Sequence, residues 1–184
     1  MARRRRPEPF ISPTEPDWDR ERPRRMWDPS RKLLRAIRSF QRWRARRGPI
    51  AVLLCKWCVL RHRFWSVVCG ADIPIDCQIG GGLLLTHPNG VVISPEARIG
   101  VNCLIFQQVT IGSGGPIDGH PIIGGHVDIG AGAKILGGVR IGDHAKIGAN
   151  AVVLCDVPEG ATAVGVPARV IEGNRNAAGG SNPT

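Results

Sequence analysis

From Ile73 onward a branched aliphatic residue returns at every sixth position. The set runs Ile73, Ile79, Leu85, then Ile93, Ile99, Ile105, Ile111, then Ile123, Ile129, Ile135, Ile141, Ile147 and Val153. A second, mostly small residue stands four places later at Cys77, Leu83, Ala97, Cys103, Val109, Val127, Ala133, Val139, Ala145 and Ala151. Gly80, Gly100, Gly112, Gly124, Gly130, Gly142 and Gly148 directly follow the aliphatic. A sustained period of six is the signature of a parallel β-helix. Each hexad supplies one short strand and one corner, and three hexads close a triangular coil. The aliphatic points inward and stacks on its equivalent in the next coil, while glycine relieves crowding where the chain turns. One coil cannot bury its own inner face, so stacking supplies the stability. The thirteen aliphatic positions predict about four to five coils. Composition agrees: aromatic residues are 5% of the chain, tyrosine is absent and there are 24 glycines, which excludes a globule packed around large rings.

The region before the repeats is of another kind. Residues 1–47 hold fifteen Arg and one Lys against six acids, which accounts for the whole net charge of +10. The remainder is neutral, so any polyanion or lipid reading concerns this appendage alone. Residues 1–29, with six prolines and few aliphatics, are expected to be disordered. A helix is predicted over 30–47, with Ser30 as N-cap and with Leu33, Leu34, Ile37 and Phe40 opposite Arg35, Arg38, Arg42 and Arg46. Gly48 and Pro49 end it, and a more apolar helix follows from about Ile50 to Val68. Such helices pack on the body, where they could cap the first coil, or on a neighbouring subunit. The other reading is peripheral contact with anionic lipid through 30–47. Residues 173–184 are expected to be a flexible tail.

No secretory signal pattern follows the arginines at 3–6, and the apolar run 50–60 is interrupted by Lys56 and too short to span a bilayer. The expected location is therefore the cytoplasm, with the six cysteines reduced. Cys55 and Cys58 form a C-x-x-C followed by His62, but no second ligand pair has finger spacing, so they read as buried helix cysteines. No aromatic–basic interleaving accompanies the Arg-rich tail, and no specific nucleic-acid partner is expected.

The breaks in the period carry the chemistry. Between Leu85 and Ile93 lie two extra residues, within Leu84-Leu85-Thr86-His87-Pro88-Asn89-Gly90. Between Ile111 and Ile123 the second hexad loses its corner pattern and reads as a loop ending in Gly119-His120-Pro121. A repeat scaffold has no folding reason to hold histidine there, and loops on rigid scaffolds are where function concentrates. Asp72 precedes His87 by fifteen residues, close to one coil of eighteen. That spacing brings a carboxylate beside an imidazole, where it fixes the tautomer and stabilises the imidazolium of a general base.

These residues resemble a known family. Asp72-Ile73-Pro74, Leu85-Thr86-His87-Pro88-Asn89-Gly90, Gly119-His120-Pro121, Ile129-Gly130-Ala131-Gly132-Ala133-Lys134 and Gly165-Val166-Pro167-Ala168-Arg169 are similar, in order, to the serine acetyltransferases. These are hexapeptide-repeat acyltransferases, and the match covers about residues 70–172. The resemblance implies a mainly β fold, a left-handed parallel β-helix behind a short N-terminal helical segment, assembled as a homotrimer. It implies transfer of acetyl from acetyl-CoA, a co-substrate and not a bound cofactor, to a small hydroxyl acceptor. That acceptor would be L-serine, giving O-acetylserine in cysteine biosynthesis. His87 falls on the family's catalytic base, Asp72 on its carboxylate and His120 on the acceptor-contacting histidine. Gly112, Ser113, Gly130, Ala131, Lys146 and Ala149 fall on the acetyl-CoA site, and no metal is assigned. Thr86 replaces an Asp and Gly119 an Arg that hold the amino acid, so a sugar or exopolysaccharide hydroxyl is the alternative acceptor. A zinc lyase of the carbonic anhydrase type, with His120, His126 and His144 as ligands, is the remoter alternative, and a non-catalytic scaffold is another.

Overall fold

A computed structural model describes residues 11–171. Two helices, α1 (Pro29–Arg44) and α2 (Pro49–Cys69), precede a parallel β-helix. Its first face stacks the strands Gln78–Ile79, Arg98–Ile99, Ile122–Ile123 and Arg140–Ile141. The second stacks Leu84–Leu85, Leu104–Ile105, Asp128–Ile129, Lys146–Ile147 and Thr162–Val164. The third stacks Val92–Ile93, Thr110–Gly112, Lys134–Leu136 and Val152–Val153, preceded by a bridge from Asp72 to Val92. Each aliphatic of the hexad set from Ile79 onward pairs in register with its equivalent one coil away, as Ile105 does with Ile129. All thirteen are buried, and so are all ten residues four places on. The ladder predicted from the period is therefore the core. Val91, beside the extra residues at 86–90, is a further fully buried member that the hexad count does not predict.

The corners between the first and second faces and between the second and third faces each hold a residue in the left-handed region, and the chain uses a few side chains there besides glycine. Asn102, His126 and His144 hold positive φ along the edge between the first and second faces; Gln108 and Asn150 do so between the second and third. Asn and His tolerate this region better than branched residues.

A β-helix must also end. The first coil exposes strand carbonyls with no coil beneath them, and a buried carbonyl without a partner is costly. α1 covers this end. Leu33, Leu34 and Ile37 join the core, Arg38 donates to the carbonyls of Ile79 and Gly80 at 2.6 Å each, and Gln41 Nε2 donates to Cys77 O at 3.1 Å. From α2, His62 Nε2 lies 2.8 Å from Ile73 O. At the far end Arg169–Ile171 folds back antiparallel on Thr162–Val164.

Three expectations change. The stripe Leu33, Leu34 and Ile37 of α1 is packed on the first coil, so these residues are not turned to lipid. Asp28, ahead of Pro29, holds the N-cap position, and Ser30 lies inside the helix because proline fits the first helical turn. Residues 11–29 are not a disordered tail but a strap along the edge between the first and second faces. Asn102, 1% exposed, donates through Nδ2 to Ser12 O (2.8 Å) and Glu15 O (2.7 Å) and accepts from Asp17 N (2.8 Å). A side chain at Gly81 would meet the Trp18 ring, and one at Gly125 would meet the Pro13 carbonyl, so these glycines clear the path. Glu21, itself buried, pairs with Arg38 at 2.9 Å and accepts from Leu83 N at 3.1 Å. Low hydrophobicity predicts disorder only when no partner satisfies the polar groups, and here the coil does so. The expectations for residues 1–10 and for the tail at 173–184 lie outside the described residues.

Candidate active site

The candidate residues sort onto two edges of the prism. The extra residues around His87 form the corner between the second and third faces of the first coil. One coil up is Gln107–Gln108, then Gly130-Ala131-Gly132, then Ala149–Asn150. The stack is stitched by Gln108 N to Asn89 O (2.9 Å), Gly132 N to Gln107 O (2.9 Å) and Asn150 N to Ala131 O (2.8 Å). A side chain on Gly130 would stand 2.6 Å from Ala149 N, which is why the coils stack so closely there. His87, Gly130, Ala131 and Ala149 thus share one edge. Lys146 lies beside it on the second face, exposed between Asp128 and Thr162.

Asp72 opens the third face. Its N–H donates to Val91 O at 2.8 Å, and Gly90 N donates to Gly70 O at 2.7 Å, so the two segments run side by side. Asp72 and His87 are both exposed and share no hydrogen bond among the described residues. His87 borders a cleft of about 690 Å³ whose other wall is the end of the strap and the start of α1. Arg24, Arg25 and Trp27 face it there. These residues fell in the stretch expected to be disordered, so nothing in the sequence placed them near His87.

The second edge, between the third and first faces, carries the loop after Thr110–Gly112 with Gly112, Ser113 and His120. His120 Nδ1 lies 3.0 Å from Ser94 Oγ and 3.8 Å from Glu96 Oε2, while the Ser94 hydroxyl donates to Glu96 at 2.7 Å. With its single proton given to Glu96, Ser94 accepts from His120. The proton then sits on Nδ1, and the Nε2 lone pair is left as an acceptor. The Ser94 hydrogen bond, with a backbone hydrogen bond beside it, holds the Glu96 carboxyl below its usual range. Sequence reasoning missed Ser94 and Glu96, because a contact across 26 residues leaves no local pattern.

Two other groupings are resolved. Cys77 and Cys103 point into the core, and burial pushes their thiols up to about 12 and about 11, so neither is a ready nucleophile. His126 and His144 touch through Nδ1 at 2.8 Å, on the edge covered by the strap. His120 stands on a different edge, so one chain does not gather the three histidines. Among the described residues no cluster of three or more metal-ligating side chains occurs.

Known proteins share this architecture. The family described as bacterial transferase hexapeptide (six repeats) matches residues 120–155. Serine acetyltransferase 5 of Arabidopsis thaliana is 46% identical over 137 residues, which are 73% of this chain and 42% of that one. The serine acetyltransferase of Helicobacter pylori is 46% identical over 110 residues, 59% of this chain and 64% of that one. Among solved structures, soybean serine acetyltransferase superposes with a TM-score of 0.63 at 42% identity, covering 78% of this chain and 57% of that one. A serine acetyltransferase in complex with CoA superposes at 0.65 with 35% identity, covering 79% and 58%. The repeat, the coil stack and the corner loops define a hexapeptide-repeat transferase fold. Within that class, the relatives and solved structures it is similar to are serine acetyltransferases. It spans 34% to 64% of the length of the curated relatives it matches.

Proposed function

We propose that the chain is an acetyl-CoA-dependent O-acetyltransferase acting on the hydroxyl of L-serine. The observation that carries the reading is His87, displayed by the register break on the same edge as Gly130, Ala131 and Ala149. The edge also holds a buried oxygen, Gln107 Oε1, with no partner among the described residues. His87 and Asp72 act as base and orienting carboxylate. His87 takes the acceptor proton as oxygen attacks the thioester carbonyl, the C–S bond breaks, and the proton passes to the departing thiolate. Backbone N–H groups near Gly112 and Ser113 stabilise the oxyanion, and His120 Nε2 receives a hydrogen bond from the acceptor. The CoA arm lies along Gly130, Ala131, Lys146 and Ala149. Because His87 and His120 sit on different edges of one prism, the complete site joins one edge of each protomer to the other edge of a neighbour in a homotrimer.

The serine reading is supported by charge: Arg24 and Arg25 offer guanidinium groups to a carboxylate in the cleft that holds His87. A second reading, acetylation of a sugar hydroxyl, rests on Thr86 and Gly119. Gly119 has φ +119°, a conformation that disfavours any side chain, so the loop is not built to carry an arginine at that position.

The test is release of free CoA thiol from acetyl-CoA with L-serine against a panel of sugars. Serine-dependent release is expected, and His87→Ala should lower turnover by roughly two to four orders of magnitude. Release with sugars alone would move the assignment to the second reading. An unchanged rate in His87→Ala would remove His87 from the mechanism.

A further inference from the structure

The helical hairpin carries a surface that acetyl transfer does not use. Between Pro29 and Cys69 the chain has eleven Arg and Lys residues and no acid. On α2, Ala51, Cys58, Trp65 and Cys69 face inward. Ile50, Leu53, Trp57, Leu60, Phe64 and Val67, spaced by threes and fours, form a continuous stripe in solvent, from 55% exposed at Phe64 to 83% at Val67. Six large apolar residues on one helix face that no described residue covers exceed the scattered apolar exposure normal on a surface and mark an interaction site. Beside the stripe, between the end of α1 and the first half of α2, lies a groove of about 500 Å³. Its wall is apolar, with Trp43, Val52 and Leu60, and its charged lining residues are Arg44, Arg46, Lys56 and Arg63. Arg46 stacks on Trp43 with its guanidinium carbon 4.6 Å from the ring.

We infer that this face docks on an anionic phospholipid bilayer. The apolar stripe with Trp57 and Phe64 would enter the boundary between headgroups and acyl chains. The groove cations would meet headgroup phosphates. The chemistry selects this occupant over two others. A nucleic acid would satisfy the cations but leave six apolar side chains without an apolar counterpart. A second copy of the hairpin would cover them but set cations against cations with no acid to neutralise either side. A bilayer supplies both an apolar layer and negative charge. Contact is interfacial, since among the described residues no helix is long and apolar enough to cross a membrane.

The experiment is co-sedimentation of the full chain with phosphatidylcholine vesicles, with and without phosphatidylglycerol, at low and high salt. Mass in solution is followed alongside by sedimentation velocity. Binding is expected to be about tenfold or more tighter on the anionic vesicles and to weaken with salt. Leu53→Asp with Leu60→Asp should abolish it. Lys56→Glu with Arg63→Glu should remove the preference for anionic vesicles. Both variants should keep the acetyl-transfer rate measured without vesicles, which shows that the fold is intact. Equal or absent binding to the two vesicle types overturns the inference. It is also overturned if the Leu53 and Leu60 changes alter the oligomeric mass and leave vesicle binding untouched, since the face is then an interface between copies.

Discussion

Two edges of one prism are built on the same corner geometry and finished in opposite ways. Between the first and second faces, Asn102, His126 and His144 stack in the left-handed region, and the strap from residues 12–21 is bonded to this edge at Asn102. Asn102 spends all three of its side-chain bonds on that strap. Between the second and third faces, Gln108, Gly132 and Asn150 occupy equivalent corners, but among the described residues no strap covers them. There His87 stands exposed and Gln107 Oε1 has no partner among the described residues. The coil geometry is indifferent to which edge is left open as a candidate site. Covering one with a polar strap and lengthening the corner of the other makes the distinction.

Removing what holds the strap should break the contrast most strongly. Glu21→Ala strands the Arg38 guanidinium, whose side chain is 15% exposed, and leaves Leu83 N–H without its acceptor. A loss of about 3–5 kcal/mol is expected in denaturant unfolding. A loss near zero would mean that the strap is not part of the cooperative fold. The next effect compares the two edges directly. Asn102→Ala and Asn150→Ala both place alanine at positive φ, at about 1 kcal/mol each. Only the first also leaves the Asp17 N–H and the Ser12 and Glu15 carbonyls unpaired, adding roughly 1–3 kcal/mol. Equal losses from the two variants would erase the distinction between the edges.

The smallest effect concerns pH. Burial, with the neighbouring His144 adding to it, lowers the His126 pKa. The folded state therefore prefers neutral His126, and the unfolded chain takes up its proton more readily. The stability this gives is complete above the ordinary histidine pKa of about 6.5 and is lost as pH falls through the lowered folded value. His126→Asn, which keeps a side chain suited to φ 53°, should flatten the acid loss of stability followed by unfolding between neutral and mildly acidic pH. An unchanged slope would assign that loss to another group.

The thirteen aliphatics and ten residues four places on were legible because a repeat buries the same position in every coil, so burial can be read one hexad at a time. The breaks at His87 and His120 were legible for the same reason, as departures from a rule the rest of the chain keeps. The capping role of α1 followed from its apolar stripe and from the open end of the first coil.

What only the tertiary structure decided are pairings between side chains distant in sequence. Asn102 with Ser12, Glu21 with Arg38 and His120 with Ser94 are separated by 90, 17 and 26 residues and repeat nowhere else. The N-terminal arginines and prolines read as disorder because their partners are backbone and carboxamide groups of a coil that begins some fifty residues later. Hydrophobic periodicity by itself determined the β-helix, since it is a local property summed over repeats. Which edge is sealed, which stays open, and which helix face is left in solvent depended on single polar contacts that have no period to read.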